Sequence, residues 1–160
     1  MTNRMFGTAS GEANINFSYG QSIFKSLKGN TEIVIDKGKF VDTGIQDGLG
    51  LWLSELKYKL KNLEFNKIYG NISLNNDTAI INSFIFNSDD IRLKMTGAIN
   101  TSLVTPHMGI SLEFHRRFLH DIPTPAARLG LDKYLNGNWY IIPFTAQGDI
   151  SVGKNIKRDF

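Results

Sequence analysis

Cysteine is absent from the 160 residues, which removes disulfides, thiol nucleophiles, iron–sulfur clusters and thiolate zinc sites. Proline is scarce, with four in all, and only the short stretch Asp121–Pro125 holds more than one, so no Pro-rich linker marks a domain boundary. A single domain of this length can bury a core without metals or crosslinks. No run approaches the ~20 apolar residues of a membrane span. Met1–Gly20 lacks the apolar stretch of a signal peptide. The chain as given therefore reads as soluble, and its start on strand-like sequence reads as a piece excised from something longer. A dense basic stripe is missing too. Lys+Arg 18 against Asp+Glu 15 leaves +3, Lys57, Lys59, Lys61 and Lys67 have Glu55 and Glu64 among them, and Arg116–Arg117 is only a pair. No nucleic-acid partner is expected.

Catalytic patterns are equally thin. The glycines form neither of the phosphate-cradling motifs, and Gly44, Gly48 and Gly50 offer only a weak anion site at a helix start. His107, His115 and His120 lack the spacing of metal ligands. Asp89–Asp90 is the nearest thing to a carboxylate pair, and a hairpin turn accounts for it, whereas general acid–base work needs carboxylates in contrasting environments. The residues point to a non-enzymatic protein with no catalytic group, no cofactor and no metal.

What is present is alternation with a period of two, the signature of a strand with one dry and one wet face. In Ile91–Ile99, Ile91, Leu93, Met95, Gly97 and Ile99 oppose Arg92, Lys94 and Thr96; in Met108–Phe114, Met108, Ile110, Leu112 and Phe114 oppose Gly109, Ser111 and Glu113. In Tyr140–Val152, Tyr140, Ile142, Phe144, Ala146, Gly148, Ile150 and Val152 oppose Thr145, Gln147, Asp149 and Ser151. Further strands are expected at Phe6–Ser18, Thr31–Asp36, Lys39–Asp42, Ile68–Leu74 and Thr78–Asn87, the last apolar on both faces. Asp36-Lys37-Gly38, Asn75-Asn76-Asp77 and Ser88-Asp89-Asp90 read as tight turns, so Ile68–Phe114 should be a four-stranded meander.

Helical spacing interrupts this pattern at Gly44–Lys61, where Ile45, Leu49, Trp52, Leu53, Leu56 and Leu60 predict an amphipathic helix. Shorter helices are expected at Ser22–Lys28 and Pro125–Leu135, with Ser22 and Thr124 as caps. The expected fold class is mainly β with a few helices (α+β): a curved antiparallel sheet whose apolar face is partly covered by amphipathic helices. Three such helices cover less area than the sheet presents. The surplus is either core, a groove for an apolar ligand, or a partner-binding patch.

The order of elements resembles the C-terminal region of the AsmA-like family of bacterial envelope proteins, AsmA and its TamB-type relatives. The resemblance spans nearly the whole chain. It rests on the strand Gly7–Ser18 before Ser26-Leu27-Lys28-Gly29, the segment Thr31–Asp42 with its Gly turn, Gly70-Asn71-Ile72-Ser73-Leu74, Asn82–Asn87, Gly97-Ala98-Ile99-Asn100 and the closing Ile142-Pro143-Phe144-Thr145-Ala146-Gln147-Gly148-Asp149-Ile150. Each motif is degenerate, and their order over the chain carries the likeness. The family's closing strand often runs into a proline-containing tail, whereas this chain ends Gly153-Lys154-Asn155-Ile156-Lys157-Arg158-Asp159-Phe160.

The resemblance implies one AsmA-like domain over residues 1–160, part of a longer periplasmic protein anchored in the inner membrane. It also implies an apolar β-groove that carries phospholipid between the inner and outer membranes. Expected lipid contacts are Ile72, Leu74, Leu93, Met95, Ile99, Ile110, Leu112, Phe114, Ile142 and Phe144, about half of which should prove to be core. Expected partners are a phospholipid or other apolar ligand, envelope proteins through strand or helix contacts, and a second copy through an open sheet edge. The competing expectation is a terminal capping or scaffold module that binds a partner protein.

Overall fold

Alternating apolar and polar residues bounded by turn formers produce strands along almost the whole of the chain that can be described. The computed structural model describes residues 4–18, 26–41, 63–100, 102–117, 130–150 and 155–159. Nine strands lie within them: β1 (Arg4–Asn16), β2 (Lys28–Val41), β3 (Leu63–Asn75), β4 (Thr78–Asn87), β5 (Ile91–Asn100), β6 (Val104–His115), β7 (Leu135–Asn136), β8 (Trp139–Asp149) and β9 (Ile156–Arg158). They form one antiparallel sheet in the order β1-β2-β3-β4-β5-β6-β8-β7, and β9 pairs with the side of β8 away from β6. The meander expected over Ile68–Phe114 is thus β3 to β6.

The fold class needs correction. Strand accounts for 79% of the described residues, helix for 6%, and none of their helices reaches seven residues, so they form an all-antiparallel sheet and not an α+β fold with helices laid across it. The helix expected at Gly44–Lys61 lies outside the described residues, as do residues 22–25 and 125–129 of the two shorter ones. Where Pro125–Leu135 enters the described chain it forms only a 3-10 turn at Asp132–Tyr134, then β7. Gly137, with φ 61°, forms the corner of the β7–β8 hairpin.

A second correction concerns Asp36-Lys37-Gly38. No hairpin turn forms there: β2 runs straight through, paired with β1 on one side and β3 on the other. The register with β1 shifts by one residue between Phe6 and Thr8, and Lys37 takes up the left-handed φ of 42° there, so the turn-forming residues make a bulge. The exposure phase changes with it. Ile35, Phe40, Phe65 and Ile68 are all buried, while Asp36, Lys37, Asn66 and Lys67 are exposed in between. A Cβ at Gly38 would collide with the Phe6 carbonyl and the Phe65 ring, which leaves only glycine under that aromatic side chain.

The other two turns form as expected. Asn76, at φ 57°, makes the two-residue β3–β4 turn with Asp77. At β4–β5 the Ser88 hydroxyl accepts from the Ile91 amide and donates to the Ile91 carbonyl, both at 2.9 Å, and closes the corner. The buried cluster runs across β2 to β8: Ile35, Phe40, Phe65, Ile68, Phe86, Ile91, Leu112, Phe114, Leu131, Tyr140 and Ile142. At one end Phe40, Phe65 and Phe86 form a triangle with ring centroids 5.3 to 6.2 Å apart, tilted rather than stacked flat.

Candidate apolar binding face

Cross-strand register sorts one face of the sheet into transverse rows. The first is Ile91–Phe114–Tyr140, and the second Ile35–Ile68–Phe86–Leu93–Leu112–Ile142. The third is Ile33–Gly70–Phe84–Met95–Ile110–Phe144, and the fourth Thr31–Ile72–Ile81–Gly97–Met108–Ala146. The last is Gly29–Leu74–Ala79–Ile99. From β2 to β8 a row crosses about 24 Å at the usual strand spacing.

All ten sequence-derived contacts lie on this face, but they divide by burial. Leu112, Phe114 and Ile142 are buried in the core cluster, and the half-buried Leu93 and Phe144 pack against it. Ile72, Leu74, Met95, Ile99 and Ile110 are half-buried in the outer rows. Exposure therefore rises from the Phe114 row towards the corner where β1 and β2 meet the end of β3. Ile33 and Ile15, opposite Gly70 and Gly29, are exposed there.

Ile15, Ile33, Ile81 and Phe84, on the incompletely buried part of the face, are not among the ten expected contacts. A bulge between Ile81 and Phe84 puts both on the same side and breaks the alternation, which is why Thr78–Asn87 reads as apolar on both faces. Ile33 and Ile35 do alternate, and that was the available signal. Small residues thin the outer rows. At Gly97 an added Cβ would stand 2.8 Å from the Met108 Cα, so Met108 lies close across a position with no side chain of its own.

The opposite face is polar and ionic around β5, β6 and β8. Glu113 is almost wholly buried; Lys94 Nζ donates to it at 2.6 Å and Arg92 stands at 3.9 Å. The Arg92 guanidinium also donates to Asn87 and lies 3.7 Å over the Trp139 ring, against which His115 packs edge-on at 5.0 Å. Trp139 thus covers one side of the Arg92 guanidinium, while Lys94 stays half-exposed.

At the β4–β5 corner Asp89 accepts from Asn66 at 2.7 Å, and Asp90 pairs with Arg117. Its hydrogen bond and charge hold the Arg117 guanidinium above its ordinary pKa. These carboxylates are tied into turn structure, as a hairpin corner requires. His107 is exposed in the β6 bulge, and His120 and Lys57, Lys59 and Lys61 lie outside the described residues. Among the described residues no group of three or more His, Asp or Glu is placed to hold a metal, and no helix is long and apolar enough to cross a membrane.

Comparison with protein-family models, with characterised proteins and with solved structures returned no match.

Proposed function

We propose that this chain is a non-enzymatic, lipid-handling domain of the bacterial envelope, whose apolar sheet face holds acyl chains of phospholipid moving between the two membranes. One observation carries the reading: Ile72, Leu74, Met95, Ile99 and Ile110 stay half-buried on one apolar face beside the buried cluster. An acyl chain needs a dry surface of that kind, and each CH₂ it buries contributes ~0.8 kcal/mol. The opposite face, with its Arg92, Lys94 and Glu113 cluster, suits water. The periplasmic setting, and the parent protein anchored in the inner membrane, rest on the likeness to AsmA-like proteins.

The test is native mass spectrometry with lipid extraction on the gently purified protein and on Met95→Lys and Ile99→Asp variants. Phospholipid bound at defined stoichiometry by the parent chain, and lost in variants with unchanged circular dichroism, is the expected result. A lipid-free parent chain, or variants that keep their lipid, overturns it.

A second reading, a terminal module that binds a partner protein, is favoured by the closed outer edge of β8, where β7 and β9 both pair. A lipid-free chain that retains a protein partner at defined stoichiometry would select it.

A further inference from the structure

Charge is unevenly distributed along the strand direction. One end of the sheet, beyond the row Ile35–Ile68–Phe86–Leu93–Leu112–Ile142, carries the Asp36-Lys37 bulge, Glu64 and the Asp89–Asp90 corner with its Arg117. At the other end, past the row Thr31–Ile72–Ile81–Gly97–Met108–Ala146, Lys28, Asp77 and Asp149 are the only Asp, Glu, Lys or Arg among the described residues. Large apolar side chains meet water at this weakly charged end: Phe17 is 60% exposed, Leu103 50%, Ile15 43% and Val104 38%. Apolar side chains gathered at the surface mark a contact with another protein or with a membrane.

The corner between β5 and β6 is built to hold Leu103 outward. Its amide donates to the Asn100 carbonyl and its carbonyl accepts from the Ile150 amide, both at 3.0 Å. Asn100 Oδ1 accepts from the amides on either side, Ser102 at 3.0 Å and Val104 at 2.9 Å. So braced, Leu103 sits at φ 59°, in the left-handed region that disfavours a side chain, and its exposure leaves little burial to offset that strain. The apolar face also opens in this direction. The row Gly29–Leu74–Ala79–Ile99 is half-buried throughout, whereas the charged end of the face is shut by the aromatic triangle and by Ile91, Phe114 and Tyr140.

On the basis of the lipid-handling reading, we propose that the Leu103 end of the sheet docks on a phospholipid bilayer and is the port through which acyl chains reach the apolar face. Leu103, Val104 and Phe17 enter the boundary between headgroups and acyl chains, where buried apolar area drives binding. Chains then pass to Leu74 and Ile99 without crossing water. The charge distribution favours a bilayer, because each carboxylate or ammonium sunk into it is costly, and this end carries few while the opposite end carries many.

The absence of cysteine permits single labels. Ser102→Cys and Glu64→Cys, exposed positions at opposite ends, each carry an environment-sensitive fluorophore and are titrated with phosphatidylcholine vesicles. The expected result is a blue shift at position 102 and none at position 64. Adding Leu103→Asp to the Ser102→Cys chain should raise the lipid concentration for half-binding by about tenfold or more. Asp77→Asn, which removes a charge from the neighbouring turn, should lower it, and added salt should change it little. No shift at position 102, which would leave these tips to a protein partner, overturns the proposal. An equal shift at position 64, a folded Leu103→Asp chain that binds as its parent does, or binding that salt abolishes overturns it too. Native mass spectrometry reads lipid content separately. A chain that holds lipid but shows no shift refutes the port alone, whereas a lipid-free chain that shifts at position 102 upholds the docking end and refutes the lipid-carrying face.

Discussion

At the scale of single residues, Glu113 is the most constrained polar group. Its carboxylate is nearly inaccessible, yet its nearest cation, Lys94, has a half-exposed side chain. Removing the ammonium leaves a buried charge with only the longer contact to Arg92. Lys94→Met should therefore lower stability by about 1–2 kcal/mol, measured by urea unfolding, less than the ~3–5 kcal/mol of a fully buried broken pair because water reaches the lysine. Phe86 tests the other kind of constraint. It closes the aromatic triangle at 5.9 Å from Phe65, so Phe86→Ala should cost about 3–5 kcal/mol in the same assay.

At the scale of elements, the bulge in β2 decides how the strand meets the core. Lys37 adopts φ 42° without glycine's freedom, so Lys37→Gly should raise stability by about 0.5–1 kcal/mol, and the β-branched Lys37→Val should lower it, both read as shifts in the urea midpoint. This element also shows what sequence can and cannot reveal. Unbroken alternation made Ile91–Ile99, Met108–Phe114 and Tyr140–Ala146 legible, and the register places their apolar sides on one face as expected. Asp-Lys-Gly has the composition of a turn, but a bulge uses the same left-handed backbone. Only the pairing of β2 on both sides distinguishes the two. The bulge in β4 hid Ile81 and Phe84 for a related reason, because one inserted residue reverses the side on which every later residue falls. Burial depends on where a residue lies on the sheet and not on its strand's alternation: Phe114 and Met108 are buried while Ile110 between them is half-buried, and no local pattern could separate them.

At the scale of the whole molecule, the sheet is well packed in one region and thinly packed in another. The rows through Phe86, Ile91, Phe114 and Tyr140 are buried, whereas Ile15 and Ile33, at the β1–β2 corner, are exposed. Local opening follows buried contact, so amide hydrogen exchange should be slowest in β5, β6 and the middle of β8 and fastest along β1. Uniform protection across the sheet would contradict this gradient.

The meander has one more consequence, for how the chain reaches this state. Among the described residues every pairing but that of β6 with β8 joins strands consecutive in the chain. Within the meander from β3 to β6 the turns are short, so the entropy of closing long loops, which slows most all-β folding, is small there, and these four strands should pair early. During synthesis each of β4, β5 and β6 leaving the ribosome finds its preceding neighbour already made, so this part of the sheet can be laid down one strand at a time.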